Sequence, residues 1–153
     1  MLPFGMIQDP MSEAEVRESF GRQGFNVNLG ATLTYIAPGE VHVGVNYAPH
    51  LTQQNGFLHA GVVASIADNA CGYAAMSAAP SGHNPLAVEF KVNLLAPARG
   101  ERFEARARVL RRGRTLSVIR ADVFAIDGGK EEMIATMLET TILRPIPEHV
   151  RGE

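Results

Sequence analysis

The hydrophobic positions of this chain repeat with two different periods, which predict where strands and helices lie. Alternation of apolar and polar residues predicts six strands, at about 27–34, 41–45, 86–94, 103–109, 115–126 and 132–143. The alternation slips near Val118 and Ile119, which indicates a bulge or a strand that is buried on both faces. Pro38-Gly39 and Asp127-Gly128-Gly129-Lys130 are turn signals, so we expect hairpins on both sides of them.

Two further segments have helical patterns. Ser12 and Glu15 match a capping box, so a short helix is expected over about 12–22. A long helix is predicted over about 61–79, ended by Pro80-Ser81-Gly82. The order of these elements predicts an α+β fold in which one long helix packs across an antiparallel sheet. We therefore expect a single domain over 1–153, with its core at about 25–143.

The long helix contains an acidic residue, Asp68, among apolar and small residues. On a helical wheel, Gly61, Ser65 and Gly72 share the face of Asp68. Small residues let another backbone approach closely, so we expect this face to be covered. A carboxylate on a covered face is paired, hydrogen-bonded or functional. The residues alone leave open whether Asp68 is a structural carboxylate or a reactive one.

The amino-acid composition limits the kinds of protein to which this chain can belong. The chain has 153 residues and is 46% hydrophobic, which is enough for a buried core without disulfides. One cysteine excludes an internal disulfide, and five scattered histidines show no metal-ligand spacing, so we expect no metal and no redox cofactor. The first residues lack a signal-peptide pattern and no apolar run could span a bilayer, so we expect a cytoplasmic protein without a membrane partner.

The charge is unevenly distributed. The whole chain has a formal net charge of −2, yet residues 99–114 contain seven arginines and two glutamates, a net +5. Arginine is suited to bidentate phosphate contacts. Because the chain as a whole is acidic and only one aromatic residue, Phe103, lies among the arginines, nucleic acid is not the expected partner. A small phosphorylated ligand fits better, and the alternative is a solvated strand with a soluble hairpin tip at 112–114.

A helix start and an aspartate together suit acyl transfer. Attack on a thioester carbonyl puts negative charge on oxygen, which unpaired N–H groups at a helix start stabilise. An aspartate can attack the carbonyl carbon or take a proton from water. The chain has no Gly-x-Ser-x-Gly motif, so Asp68 and His59 are the available bases.

Residues 59–61 open the long helix, and Asp68 follows nine positions after His59. With the stretches 55–58, 86–93 and 112–116, and with Pro97, this layout resembles the hotdog fold. It is similar to the thioesterase branch named for phenylacetic acid degradation (PaaI-like), over roughly residues 25–143. The resemblance implies a long helix wrapped by a curved antiparallel sheet, and an acyl-CoA thioesterase that releases free acid and coenzyme A.

The resemblance also implies roles for residues and partners. It implies self-association as a homodimer or a tetramer, with active sites at the subunit interface. The backbone N–H of Ala60 would polarise the thioester carbonyl. Asp68 would reach that carbonyl from the other subunit, as nucleophile or general base. The rest of the catalytic set would be His59 in an orienting role, Gly61 and Gln53.

The substrate and coenzyme A would be bound, by the same resemblance, by Asn55, Ala87, Arg112, Gly113 and Arg114. Related enzymes have asparagine at the position of Gln53 and serine or threonine at the position of Ala87. Since Ala87 has no hydroxyl to orient a water, a non-hydrolytic acyl-CoA or lipid-binding hotdog protein is the alternative. A hydratase or dehydratase would need a differently placed pair of histidine and acid, which the sequence does not show.

Overall fold

The structure is a computed structural model that describes residues 10–147, and these form one six-stranded antiparallel sheet with three α-helices. The elements are α1 (Glu13–Gly21), α2 (Gly24–Leu29), β1 (Thr32–Ala37), β2 (Glu40–Asn46), a 3₁₀ turn (Pro49–Leu51), α3 (Ala60–Ser77), β3 (His83–Leu94), β4 (Arg102–Arg112), β5 (Leu116–Asp127) and β6 (Lys130–Pro145). The strand order across the sheet is β1-β2-β4-β5-β6-β3. No helix among the described residues is both long and apolar enough to cross a membrane.

The first helix forms as its capping box predicts. The Ser12 hydroxyl accepts the Glu15 N–H at 3.3 Å, and a Glu15 carboxylate oxygen accepts the Ser12 N–H at 2.8 Å. Val16 and Phe20, one turn apart, are buried on the inner face of α1. The Phe20 ring packs against Tyr73 of α3 with 5.3 Å between ring centroids, so α1 is fixed to the long helix.

The strand predicted at 27–34 is wrong over its first half. Residues 24–29 form α2, which ends at Gly30 in a left-handed conformation (φ 66°). The helical turn brings Asn26 and Leu29 onto one buried face and leaves Val27 68% exposed. The alternation of Val27 and Leu29 therefore did not indicate a strand, and β1 begins only at Thr32.

The core lies between α3 and the sheet. Strands β2, β4, β5 and β6 bury alternate side chains beneath the helix: Val41, Val43, Val45, Phe103, Ala105, Ala107, Ile119, Ala121, Val123, Ala135 and Met137. The predicted bulge is present, but its extra residue lies on the neighbouring strand. Leu110 of β4 has no partner in the register, opposite the step from Val118 to Ile119.

Helix α3 has one face on the sheet and one face open. Ile66, Ala67, Ala70 and Ala74 are fully buried against the strands. The face with Gly61, Ala64, Ser65, Asp68 and Gly72, which was expected to be covered, keeps part of its surface accessible in the single chain. Cys71 and Ala75, at the borders of that face, are buried.

Strand β3 lies at one edge of the sheet and is bonded to β6 on one side only among the described residues. Four of its apolar side chains are 47% to 56% exposed: Leu86, Val88, Phe90 and Leu94. A long apolar edge strand is a surface that folded proteins normally cover. The open face of α3 and the edge of β3 are thus two uncovered surfaces of the described residues.

Candidate active site

The start of α3 is capped by its own histidine. The His59 Nδ1 atom accepts the Gly61 N–H at 2.8 Å. A Cβ atom on Gly61 would lie 2.9 Å from that nitrogen, so any other residue there would force the imidazole to shift. The Gly61 N–H, one of the predicted catalytic groups, is therefore already occupied within the chain.

The neighbouring N–H of Ala60 is different. Ala60 is the first residue of α3, it is exposed, and its N–H has no hydrogen-bond partner among the described residues. The positive end of the helix dipole lies at the same place. Ala60 thus presents one unpaired, polarised donor at the helix start.

A largely apolar cavity of about 510 Å³ opens in front of Ala60. It is lined by Gln53, Phe57, Leu58, Ala60, Val63, Leu94, Leu95, Ala96, Pro97, Ala98 and Ile134. The Oε1 atom of Gln53 accepts the backbone N–H of Asn55, which leaves the Nε2 amide free of partners within the described chain. Gln53 and Ala60, predicted to belong to one site, are together in this cavity.

Asn55 lies on the outer side of the same loop. It is exposed, and it lines a second cavity of about 400 Å³ with Tyr47, Phe57, Arg99 and neighbouring residues. The Arg99 guanidinium stacks over the Phe57 ring at 4.5 Å, so one of the seven arginines is placed here rather than in the hairpin.

Asp68 opens onto a different cleft of the same chain. It follows Ala60 by eight residues, which is a rise of about 12 Å along the helix. The cleft has a volume of about 300 Å³ and is lined by Ser19, Gln23, Asp68, Asn69, Gly72, Tyr73, Met76, Asn84, Pro85, Leu86, Ala87 and Glu139. The single chain therefore brings Asp68 and Ala87 together, but it does not bring either of them to Ala60 and Gln53.

The cleft contains a second acid, Glu139, which the sequence analysis missed. Glu139 is 1% exposed, and burial together with the neighbouring charge of Asp68 raises its pKa to about 9. Burial also raises the pKa of Asp68, and the neighbouring Glu139 carboxyl group opposes that rise. No cationic side chain among the described residues lines this cleft. A carboxyl group with a pKa of about 9 keeps its proton at neutral pH, so Glu139 is the neutral member of the pair.

Besides Arg99, the other six arginines of segment 99–114 divide into two groups. Arg102 and Arg106 form ion pairs with Glu104, and Arg106 also pairs with Glu131. Within the described chain no ion pair includes the arginines near the hairpin: Arg108, Arg111, Arg112 and Arg114. These cations are available to a ligand.

The hairpin at 112–114 is shaped by its glycine. The Gly113 N–H donates to the Leu116 carbonyl at 2.7 Å, and a Cβ atom on Gly113 would lie 2.7 Å from that oxygen. Leu116 pairs with Ile142, which pairs with Leu86 at the rim of the Asp68 cleft. The hairpin thus lies at the sheet end that carries Asp68, about 33 Å along β4 from the end near Ala60.

Comparison with known proteins decides the family. The profile of the Thioesterase superfamily matches residues 55–132, which include the start of α3, Asp68 and the arginine hairpin. The chain belongs to the thioesterase superfamily. A relative from Saccharolobus solfataricus, whose name describes it provisionally as an esterase, is 30% identical over 118 residues, 77% of this chain and 77% of that protein.

Solved structures agree with the family. A thioesterase family protein from Silicibacter pomeroyi is 48% identical and superposes with a TM-score of 0.83, over 85% of this chain and 96% of that chain. A mutant of the phenylacetic acid degradation protein PaaI from Thermus thermophilus is 25% identical with a TM-score of 0.67, over 77% of this chain and 96% of that chain. The predicted hotdog fold and the predicted assignment as a thioester hydrolase are confirmed.

Proposed function

We propose that this thioesterase hydrolyses acyl-CoA to a free acid and coenzyme A, at sites built by two copies of the chain. The observation that carries the proposal is the unpaired N–H of Ala60 at the mouth of an apolar cavity. An acyl chain fits such a lining, and a carbonyl oxygen fits such a donor. The remaining steps concern the acid, the second subunit and the coenzyme.

The helix start would stabilise the charge that forms during the reaction. Attack on the thioester carbon moves negative charge onto the carbonyl oxygen. The Ala60 N–H would donate to that oxygen, and the helix dipole would add to the stabilisation. The free Nε2 amide of Gln53 lines the same cavity and would supply a second donor.

Asp68 would supply the attacking group or the base. In one route its carboxylate attacks the thioester carbon, the carbon–sulfur bond breaks, and water then hydrolyses the anhydride to restore the carboxylate. In the other route it takes a proton from a water that attacks the carbon directly. Both routes require Asp68 as the ionised member of the acid pair.

The geometry of α3 supports the proposal that a second copy of the chain contributes to each site. Ala60 and Asp68 lie about 12 Å apart along one helix and open onto different cavities, so one chain cannot bring both to one carbonyl. A partner whose edge strand pairs with β3 would cover the exposed apolar residues of that strand and the open face of α3. Each site would then combine Ala60 and Gln53 of one subunit with Asp68 of the other.

The coenzyme would be held by the arginine hairpin. Coenzyme A carries a pyrophosphate and a 3′-phosphate, and Arg112 and Arg114 are without ion-pair partners in the described chain. Their hairpin lies at the sheet end of the Asp68 cleft. The subunit that supplies Asp68 would therefore also bind the phosphates.

A second candidate function is non-hydrolytic binding of acyl-CoA. It is favoured by Ala87, whose methyl group lines the Asp68 cleft where a hydroxyl would orient water. Thiol release from short, medium, long and aryl acyl-CoAs separates the two candidates, with Asp68→Asn as the matched control. We expect release by the native protein and its loss in the variant. Saturable binding of these compounds with no release above the blank would establish the second candidate.

A further inference from the structure

Asp68 and Glu139 are two acids that line one cleft without a cationic side chain in its described lining. Glu139 lies on β6, in register with Phe90 of β3 and Ile119 of β5, so apolar neighbours flank it on both sides. It is 1% exposed, neither of its carboxyl oxygens has a hydrogen-bond partner among the described residues, and it lines the same cleft as Asp68. A buried carboxylate without donors is strongly disfavoured, so the neutral acid is the stable form.

We propose that Glu139 is a positioning residue for Asp68: the neutral acid donates its proton to the Asp68 carboxylate and holds that carboxylate in one orientation. The proposal rests on the proposed role of Asp68 in hydrolysis. Glu139, a buried residue of β6, would thus act on Asp68 of α3 and not directly on the substrate.

Every charged or titratable group around the pair is consistent with this assignment. From α3 the pair faces Cys71, whose pKa is raised by burial and by both acids, so its thiol stays neutral. The Tyr73 phenol also lines the cleft. Two uncharged side chains, Ser19 and Gln23, hydrogen-bond to that phenol. No cation among the described residues lines the cleft beside Asp68, and Glu139 is the neighbour that lowers the pKa of Asp68 against the effect of burial.

Glu89 of β3 does not belong to this group. Its carboxylate accepts the Thr140 hydroxyl at 2.7 Å, and Thr140 follows Glu139 in a strand where successive side chains point to opposite faces. The pair therefore consists of two acids only. Ionisation of Glu139 at alkaline pH would remove the donor and place a second negative charge beside a negatively charged transition state.

Kinetics of two matched variants test the positioning role. Glu139→Gln keeps the length and a donor, whereas Glu139→Met keeps the length and removes the donor. We expect kcat/KM of Glu139→Gln at pH 7 to stay within about threefold of the native protein, and that of Glu139→Met to fall on the order of tenfold or more. The acid limb of the pH profile should move to higher pH in Glu139→Met only, because Asp68 there is desolvated without a donor.

The alkaline limb is the sharper readout. The native profile should fall near pH 9, and Glu139→Gln should lack this fall after subtraction of uncatalysed hydrolysis. Equal activities and unchanged profiles in both variants would overturn the proposal, as would an alkaline fall that persists in Glu139→Gln. Because either variant could fold poorly, a measurement on the native protein is needed as well.

Carbon-13 NMR of the glutamate carboxyl groups supplies that measurement. The Glu139 signal, assigned by its absence from Glu139→Gln, should titrate near pH 9 in the native protein and at lower pH in Asp68→Asn. A signal that titrates in the ordinary range of glutamate would overturn the proposal without reference to catalysis. If Asp68→Asn instead keeps native turnover, the proposed function fails, while the NMR titration still decides whether the pair exists.

Discussion

Replacement of Ala60 by proline tests the helix-start donor with little disturbance of the fold. Proline lacks the N–H, and the first position of a helix is where it is best tolerated. The preceding residue, His59, already has φ −64° and ψ 137°, which is the conformation favoured before proline. Since the Ala60 N–H has no partner in the described chain, the substitution breaks no hydrogen bond of the folded protein.

The expected loss follows from the chemistry of one donor. Removal of a single hydrogen-bond donor to a developing oxyanion costs about 10²–10³ in kcat, or about 2.7–4 kcal/mol. We expect Ala60→Pro to lose this much in kcat with acyl-CoA, while its KM changes by less than about threefold. The free energy of unfolding should change by less than about 1 kcal/mol, because proline at this position also reduces the entropy of the unfolded chain.

The assay is thiol release under saturating and limiting acyl-CoA, with thermal unfolding followed in parallel. Ala60→Gly is the matched control, since it alters the same side chain and keeps the N–H. We expect the glycine variant to retain kcat within a few-fold. A folded Ala60→Pro protein with native kcat would refute the assignment of this N–H to the transition state.

Three further predictions concern the acid, the coenzyme and the assembly. Asp68→Asn, nearly isosteric, should reduce kcat by at least about 100-fold with the fold intact, and native turnover in the folded variant would exclude a catalytic role. Replacing Arg112 and Arg114 by alanine should mainly raise KM for acyl-CoA and spare a thioester that lacks the nucleotide; equal losses on both substrates would make the hairpin structural. Light scattering at micromolar concentration should give at least a dimer, whereas an active monomer would contradict the shared site. Phe90→Arg on the edge strand should weaken that assembly.

Local signals explain what could be predicted from the sequence. The capping box of Ser12 and Glu15 and the turn at 127–130 depend on residues within a few positions of each other. The long helix and β3 have periods sustained over enough residues to identify them. The same local patterns, together with the spacing of His59 and Asp68, were sufficient to indicate the family that the comparisons confirm.

Long-range contacts explain what could not be predicted. Val27 and Leu29 alternate as in a strand, but burial of Asn26 and Leu29 beside α1 and the left-handed Gly30 determine a short helix. Glu139 is about 70 residues from Asp68 in sequence, and only the sheet register brings it below α3. Only the alternation along β6 indicated that Glu139 is buried, because Glu139 continues the series of inward-facing residues that includes Ala135 and Met137.

Mixing two inactive variants tests whether Ala60 of one subunit and Asp68 of the other subunit form one site. Ala60→Pro and Asp68→Asn proteins would be denatured together in equal amounts, refolded, and assayed for thiol release against each variant treated alone. In a mixed dimer one site carries both substitutions and the other carries neither. We expect recovery of about a quarter of native activity, since about half of the dimers are mixed and each has one intact site. Activity no higher than the mean of the two variants, with mixed dimers shown to be present, would contradict it.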